Sequence, residues 1–261
     1  MRFPFFVAWR YFFSKKDVGI VHIISLISLI GISVSSMALL VVLSVFNGFT
    51  GVADKMLSFS YPDISIESRK GKTFSTNETD LNRLRAIEGV KHCEKVVKES
   101  VLMNCGEKQT IVELWGVEKN YPRSSGMDTA MQIGDFDLGT AEEPKAVLGY
   151  ALTIETGLGR GAEKMRPFLK FCSPKSNMGS SFIPEENLNM QVAEYAGSFM
   201  TDGDMDRKAV FVPLKFVQDL LEYGNDEVTS LNISTDGRKK TDKVKKEIEK
   251  SLNRDLVVKN R

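Results

Sequence analysis

From Val18 to Phe46 the chain runs 29 residues without a single Asp, Glu, Lys or Arg. Twenty of these residues are apolar; the others are Gly19, His22, Gly31 and six serines. About 20 apolar residues suffice to cross a hydrocarbon core of about 30 Å. As a helix this stretch measures about 43 Å, so it is expected to span a membrane and project beyond one face. A cleaved signal sequence has an apolar region of about 7–15 residues and then a small-x-small site. This stretch is about twice that length, and Asn47-Gly48-Phe49-Thr50-Gly51 is not such a site. A retained transmembrane helix over 18–50 is therefore expected. His22 has no acidic partner in the span, which argues against proton relay.

Flanking charge sets the orientation. Arg2, Arg10, Lys15 and Lys16 precede the span and only Asp17 opposes them, which places the N-terminus in the cytoplasm and the rest outside, the periplasm of a bacterium. Residues 1–17 hold Phe3-Pro4-Phe5-Phe6-Val7-Ala8-Trp9-Arg10-Tyr11-Phe12-Phe13. Aromatic rings with interspersed Arg suit the headgroup layer, so a short helix on the cytoplasmic face is expected. Ser28, Gly31, Ser35 and Ala38 fall at i, i+3, i+7 and i+10 and form a small-residue face suited to packing against other membrane helices.

The rest is a different kind of polymer. Residues 55–261 carry 31 Lys and Arg against 32 Asp and Glu, the balance of a water-facing domain, while the net charge of +1 gives no basic surplus for nucleic acid. Period-two alternation predicts a strand at Asp63–Ser68, and strands are also expected at Val90–Val97, Ser100–Asn104, Thr110–Val117, Ala209–Val212, Ser230–Ser234 and Leu256–Lys259. Helices are expected after Asn77, after Pro213 and from Lys239 to Leu252. Thus α/β parts over about 60–124 and 208–261 flank a separate, mainly β insertion over about 125–207. Its clearest strands are Ala146–Gly149 and Phe168–Phe171, with a helix from Tyr150 to Thr156 between them. The fold class is α+β: one transmembrane helix, then a split α/β sandwich with a β-rich insertion within 51–261.

Catalytic and cofactor signatures fail on their spacing. Gly71-Lys72-Thr73 follows a strand, but a phosphate loop needs a Gly where Ile66 stands, so it reads as a turn. Gly157-Leu158-Gly159-Arg160-Gly161-Ala162 matches a dinucleotide fingerprint in letters only. It follows a helix instead of a strand, and so reads as a helix stop. Asp202, Asp204 and Asp206 lack the Gly and terminal Glu of a calcium loop and read as a solvated acidic turn. With His22 and His92 the only histidines, no metal centre or catalytic triad is expected, nor any cofactor. Cys93, Cys105 and Cys172 could include a Cys93–Cys105 bridge between neighbouring strands, or be buried free thiols.

Several blocks carry a resemblance. The aromatic-basic start, Ser14-Lys15-Lys16, the Ser/Gly-rich span and Leu43-Ser44-Val45-Phe46-Asn47-Gly48-Phe49 resemble the lipoprotein-releasing permeases LolC and LolE, of the wider superfamily with MacB and FtsX. Val147-Leu148-Gly149-Tyr150-Ala151-Leu152 followed by Gly157-Leu158-Gly159-Arg160-Gly161, and Val210-Phe211-Val212-Pro213-Leu214, resemble their periplasmic core, and Val257-Val258-Lys259-Asn260-Arg261 resembles the point just before their second membrane helix. The resemblance implies a non-enzymatic inner-membrane subunit. Its partners would be membrane lipids, a second permease subunit, cytoplasmic ATPase subunits that hydrolyse ATP, a lipoprotein cargo and a periplasmic chaperone. Such permeases have four membrane helices, and this sequence holds the first and the periplasmic domain, so it is expected to be an N-terminal portion. Val42, Val45, Phe46 and Phe49 would line the acyl-chain cavity. Pro174, Ser176, Asn177, Met178, Phe182 and Ile183 would form the chaperone-binding hook. MacB-like efflux, FtsX-like mechanotransmission and a single-span binding or sensor module are the alternative functions.

Overall fold

The computed structural model describes residues 3–12, 19–60, 62–158, 165–175, 187–201, 203–235, 238–251 and 255–260. The chain divides into two compact units, Met1–Asp54 and Lys55–Arg261.

The first unit is helical. Helix α1 covers Phe3–Phe12. Helix α2 runs Ile20–Ser60, ten residues past the expected end of the span. Nothing between Thr50 and Ser60 breaks it, because a lone Gly51 costs only about 1 kcal/mol. At 41 residues it is about 60 Å long, twice a hydrocarbon core. The apolar window Ile23–Gly51 is long and apolar enough to cross a membrane.

In the second unit, ten strands join one hydrogen-bonded system in the order β12-β1-β11-β3-β4-β9-β6-β8-β5, with β7 bridging β3 and β8. The strands are β1 Ile64–Ser68, β3 Val90–Cys105, β4 Lys108–Val117, β5 Met131–Gly134, β6 Lys145–Gly149, β7 Phe168–Pro174, β8 Leu188–Phe199, β9 Ala209–Pro213, β11 Ser230–Thr235 and β12 Leu256–Asn260. A two-stranded ribbon pairs β2 (Phe74–Ser75) with β10 (Glu227–Val228).

The β12-β1-β11-β3 part is a sheet with helices on one face. Helix α3 (Glu78–Arg85) starts at Asn77, whose Oδ1 accepts from the Asp80 N–H, a side-chain cap that satisfies one orphan donor. Leu81 and Leu84 of α3, with Val244 and Ile248 of the C-terminal helix Arg238–Ser251, pack over Ile64, Ile66, Leu231 and Ile233. Along β1 and β12 the paired ends are Ile64 and Asn260, so this unit's first and last strands meet side by side.

The pairings β3–β4, β4–β9, β9–β6, β6–β8, β8–β7 and β7–β3 close a circuit of six strands. Side chains alternate in and out. Val101, Met103, Val112, Leu114, Ala146, Leu148, Leu169, Phe171, Ala193, Tyr195, Val210 and Val212 all enter one core, and a circuit this small is filled by side chains. The amphipathic helix Leu214–Leu221 adds Phe216, Val217 and Leu220 to it, with the Phe216 ring 5.6 Å from that of Phe171, edge on. On the outward phase, Trp115, Val117, Val147, Phe199, Ala209 and Phe211 form a second cluster with Tyr121, Met127 and Leu138. The β-rich stretch 125–207 does not stand apart: its strands β6, β7 and β8 share the circuit and the core with β3, β4 and β9.

Other local expectations change. Residues 90–105 form one strand. The polar pair Lys98-Glu99 resembles a break, yet pairing with β4 continues through it, Lys98 opposite Trp115. Lys98 Nζ lies 3.0 Å from Glu113 and 4.5 Å from the Trp115 ring centre. This placement rules out the Cys93–Cys105 bridge: both residues lie on β3, twelve positions and about 40 Å apart along an extended strand. All three cysteines are free, and burial pushes the Cys93 thiol up to about 12. The acidic turn is not wholly solvated. Asp206, in the short helix Met205–Lys208, is buried, and its Oδ1 accepts from the Thr201 backbone N–H and hydroxyl, both at 2.7 Å.

Gly149, at the junction of β6 and helix α5 (Tyr150–Thr156), has a physical reason to be glycine. A Cβ there would stand 2.3 Å from the Asp206 carbonyl oxygen and 2.6 Å from its Cα. Both are backbone and cannot swing away. Gly149→Ala is expected to cost about 1–3 kcal/mol by overpacking. Gly224→Ala, whose Cβ would meet nothing nearer than 4.0 Å, is the near-neutral control, and urea unfolding of both variants is the measurement.

Candidate functional site

Within the first unit, one uninterrupted helix places two separately noted groups on a common face. Ser28, Gly31, Ser35, Ala38, Val42, Val45 and Phe49 follow a 3-4-3-4 spacing, so they form one seam along α2, with Phe46 flanking it. Its N-terminal half is small and its C-terminal half bulky. All eight residues are exposed within this chain, Val42, Val45, Phe46 and Phe49 by 62–69 %. A Cβ added to Gly31 would meet nothing within 4 Å. Ser33 Oγ returns its hydrogen to the Leu29 carbonyl at 2.7 Å, so this hydroxyl is satisfied inside the helix, as hydrocarbon surroundings demand. The seam therefore offers a close-approach surface at one end and an apolar, aromatic one at the other.

Within the second unit, β7 and β8 form a hairpin extended by the Lys175 N–H to Asn187 carbonyl bond of 2.9 Å. Pro174 ends β7 and is exposed. Ser176, Asn177, Met178, Phe182 and Ile183 lie outside the described residues. The outward face of the hairpin carries an apolar surface that no motif announces. Register places Met190 opposite Cys172, Cys172 opposite Leu102, and Leu102 opposite Ile111. Ile111 is 73 % and Phe168 70 % exposed, and Val192 is also open to solvent. The signal was present in Leu188, Met190 and Val192 at period two. It fades because the apolar residues then move to the inward positions, Ala193 and Tyr195.

The apparent nucleotide motifs resolve into structure. Gly71 has φ +100°, Lys72 pairs with Glu99 at 2.9 Å, and the Thr73 hydroxyl donates to Glu227. Gly157 has φ +84° and its N–H closes helix α5 on the Ile154 carbonyl. Gly159, Arg160 and Gly161 lie outside the described residues.

Residues 25–251 match the family described as MacB-like periplasmic core domain. Among solved structures, the periplasmic region of MacB from Actinobacillus actinomycetemcomitans is similar at 15 % identity and a TM-score of 0.49, over 76 % of this chain and 87 % of that one. The extracellular domain of the noncanonic ABC-type transporter YknZ from Gram-positive bacteria is similar at 15 % identity and a TM-score of 0.47, over 76 % of this chain and 99 % of that one. No curated protein sequence matches the chain.

Proposed function

Because the chain belongs to the family of MacB-like periplasmic core domains, we propose that it serves as the N-terminal portion of an ABC transporter permease subunit that releases lipoproteins from the inner membrane. The observation that carries this reading is the span of the family match, which starts at Ser25 inside the apolar helix and ends at Ser251 in the folded domain. The α2 helix crosses the inner membrane with its N-terminus in the cytoplasm, among membrane lipids. Its small-residue half packs against membrane helices of the same assembly, including a second permease subunit. Cytoplasmic ATPase subunits hydrolyse ATP, and the periplasmic domain moves in response. Val42, Val45, Phe46 and Phe49 present an apolar lining for the acyl chains of a lipoprotein cargo. The segment from Pro174 to Ile183 receives the periplasmic chaperone. The exposed Met190 and Val192 on the β7–β8 hairpin give an apolar surface that suits a protein partner.

A photocrosslinking residue at Val45 or Phe46, in the full chain in cells fed radioactive palmitate, tests the proposal. Labelled lipoprotein adducts are expected from these two positions, and phospholipid adducts from Ile23 near the other end of the helix. Phospholipid adducts alone at all three positions would overturn the lipoprotein reading and leave MacB-like efflux, FtsX-like mechanotransmission and a single-span binding or sensor module.

A further inference from the structure

The face of the β12-β1-β11-β3 sheet opposite Leu81, Leu84, Val244 and Ile248 has a cleft of about 270 Å³. It lies between β3, β11, the residues just before β1 and helix α4 (Tyr121–Ser125). Glu94 stands in this cleft, directly opposite Asn232 across the β3–β11 ladder. Its side chain points to the face away from the apolar core, because neighbouring Cys93 points into it. Glu94 is only 6 % exposed. Its Oε2 accepts from the Ser124 hydroxyl at 2.7 Å, and among the described residues nothing donates to Oε1.

The rest of the cleft is held rigidly. Tyr121 and Asn232 both line the cleft, and Asn232 Oδ1 accepts from the Ser230 hydroxyl at 3.3 Å. Asp63 Oδ2 accepts from the Thr235 N–H at 2.8 Å and from its hydroxyl at 3.1 Å. Lys91 and Arg123 stand exposed at the rim, and neither is ion-paired with a described residue. A nearly buried carboxylate with one oxygen free thus shares a small polar cleft with two uncommitted cations and several hydroxyls.

We propose that this cleft binds a small zwitterionic amine of amino-acid size, with its ammonium on Glu94 Oε1 and its carboxylate on Arg123 and Lys91. Each half of the ligand answers a group the fold leaves unmatched. Burial pushes the Glu94 carboxyl above its ordinary range, the Ser124 hydrogen bond opposes this, and nearby Glu118 adds to it. A carboxylate so placed gains from a positive partner more than an exposed one does. Arg85 also acts on Glu94, but its guanidinium is bonded to the Cys93 carbonyl at 3.1–3.3 Å. The volume lies below the range of about 300–1,000 Å³ usual for larger organic ligands, which sets the size limit.

Saturation-transfer NMR on the full chain in lipid nanodiscs tests the proposal. The probes are a mixture of the twenty common amino acids, then each alone, with acetate, methylammonium and inorganic phosphate for comparison. Transfer to at least one amino acid is expected, with weaker transfer to acetate or methylammonium. Glu94→Gln keeps the shape and an acceptor for Ser124, and should weaken binding at least tenfold. Arg123→Gln should weaken it at least fivefold. An unchanged thermal midpoint in both variants shows that folding is intact. No transfer to any amino acid, equal transfer to acetate or phosphate, or undiminished binding by Glu94→Gln at an unchanged midpoint would each overturn the proposal. If Glu94→Gln lowers the midpoint, Arg123→Gln at the exposed rim decides instead: unchanged binding there also overturns it.

Discussion

Phe211→Ala is expected to lower the unfolding free energy by about 3–5 kcal/mol, the range for truncating a buried Phe. Phe211 sits on β9 with no exposed surface, opposite Trp115 on β4 and Val147 on β6. Four aromatic rings surround it, with centroid distances of 5.5 Å to Trp115, 5.9 Å to Tyr121, 5.4 Å to Phe136 and 5.4 Å to Phe199. Such pairs contribute about 0.5–1.5 kcal/mol each beyond burial, so truncation removes contacts to several elements at once. The neighbours cannot collapse into the space, because Trp115 and Phe199 are fixed in the ladder. Urea unfolding followed by tryptophan fluorescence measures the loss. Phe211→Leu, which keeps most of the volume, should lose clearly less, and equal losses would contradict the cavity argument.

Met37→Arg combined with Leu40→Arg is expected to abolish stable membrane insertion. Both side chains lie near the middle of the apolar window Ile23–Gly51 and are 69 % and 68 % exposed within this chain. One Arg at the centre of a spanning helix costs about 2.5–3.5 kcal/mol on insertion scales, so the pair costs about 5–7 kcal/mol. Alkaline carbonate extraction of cell membranes separates the outcomes: the parent chain should stay in the pellet and the double variant should move to the supernatant. Retention of the variant in the pellet would mean that this window is not what holds the chain in the membrane.

Legibility in the sequence followed periodicity. The apolar helix announces itself by 29 charge-free residues, and β1, β6, β9 and β11 by strict alternation or short β-branched runs closed by Gly or Pro. Helix α3 shows its Asn77 cap, and α5 its Gly157 stop. Strand β8 was hidden because its apolar residues move from the outward positions Leu188, Met190 and Val192 to the inward positions Ala193 and Tyr195, and its register shifts again near Ala196, so no single period-two run marks it. The break suggested by Lys98-Glu99 was removed by tertiary contacts, the ladder to β4 and the Trp115 ring, which no local window contains. The closure of six strands into a circuit rests on β3 exchanging its partner from β11 to β7 along its length, a pairing between segments some 70 residues apart.

At Glu94 local reading fails for a related reason. In the sequence it sits between Cys93 and Lys95 as one charge among many. It becomes distinctive only when α4 folds over the open sheet face and brings Ser124 to it. The seam on α2 is the opposite case, since a helix is a local object: once its continuity is granted, spacing alone joins Ser28 to Phe49.

The side-by-side meeting of Ile64 and Asn260 has a mechanical consequence. Antiparallel ladder bonds run perpendicular to the strands. A tension that separates these two ends therefore loads the β1–β12 bonds one pair at a time, as a zipper opens. A displacement that carries both ends together loads none of them, and the domain travels as a single lever. The same joint that yields to being pulled open is stiff to being carried.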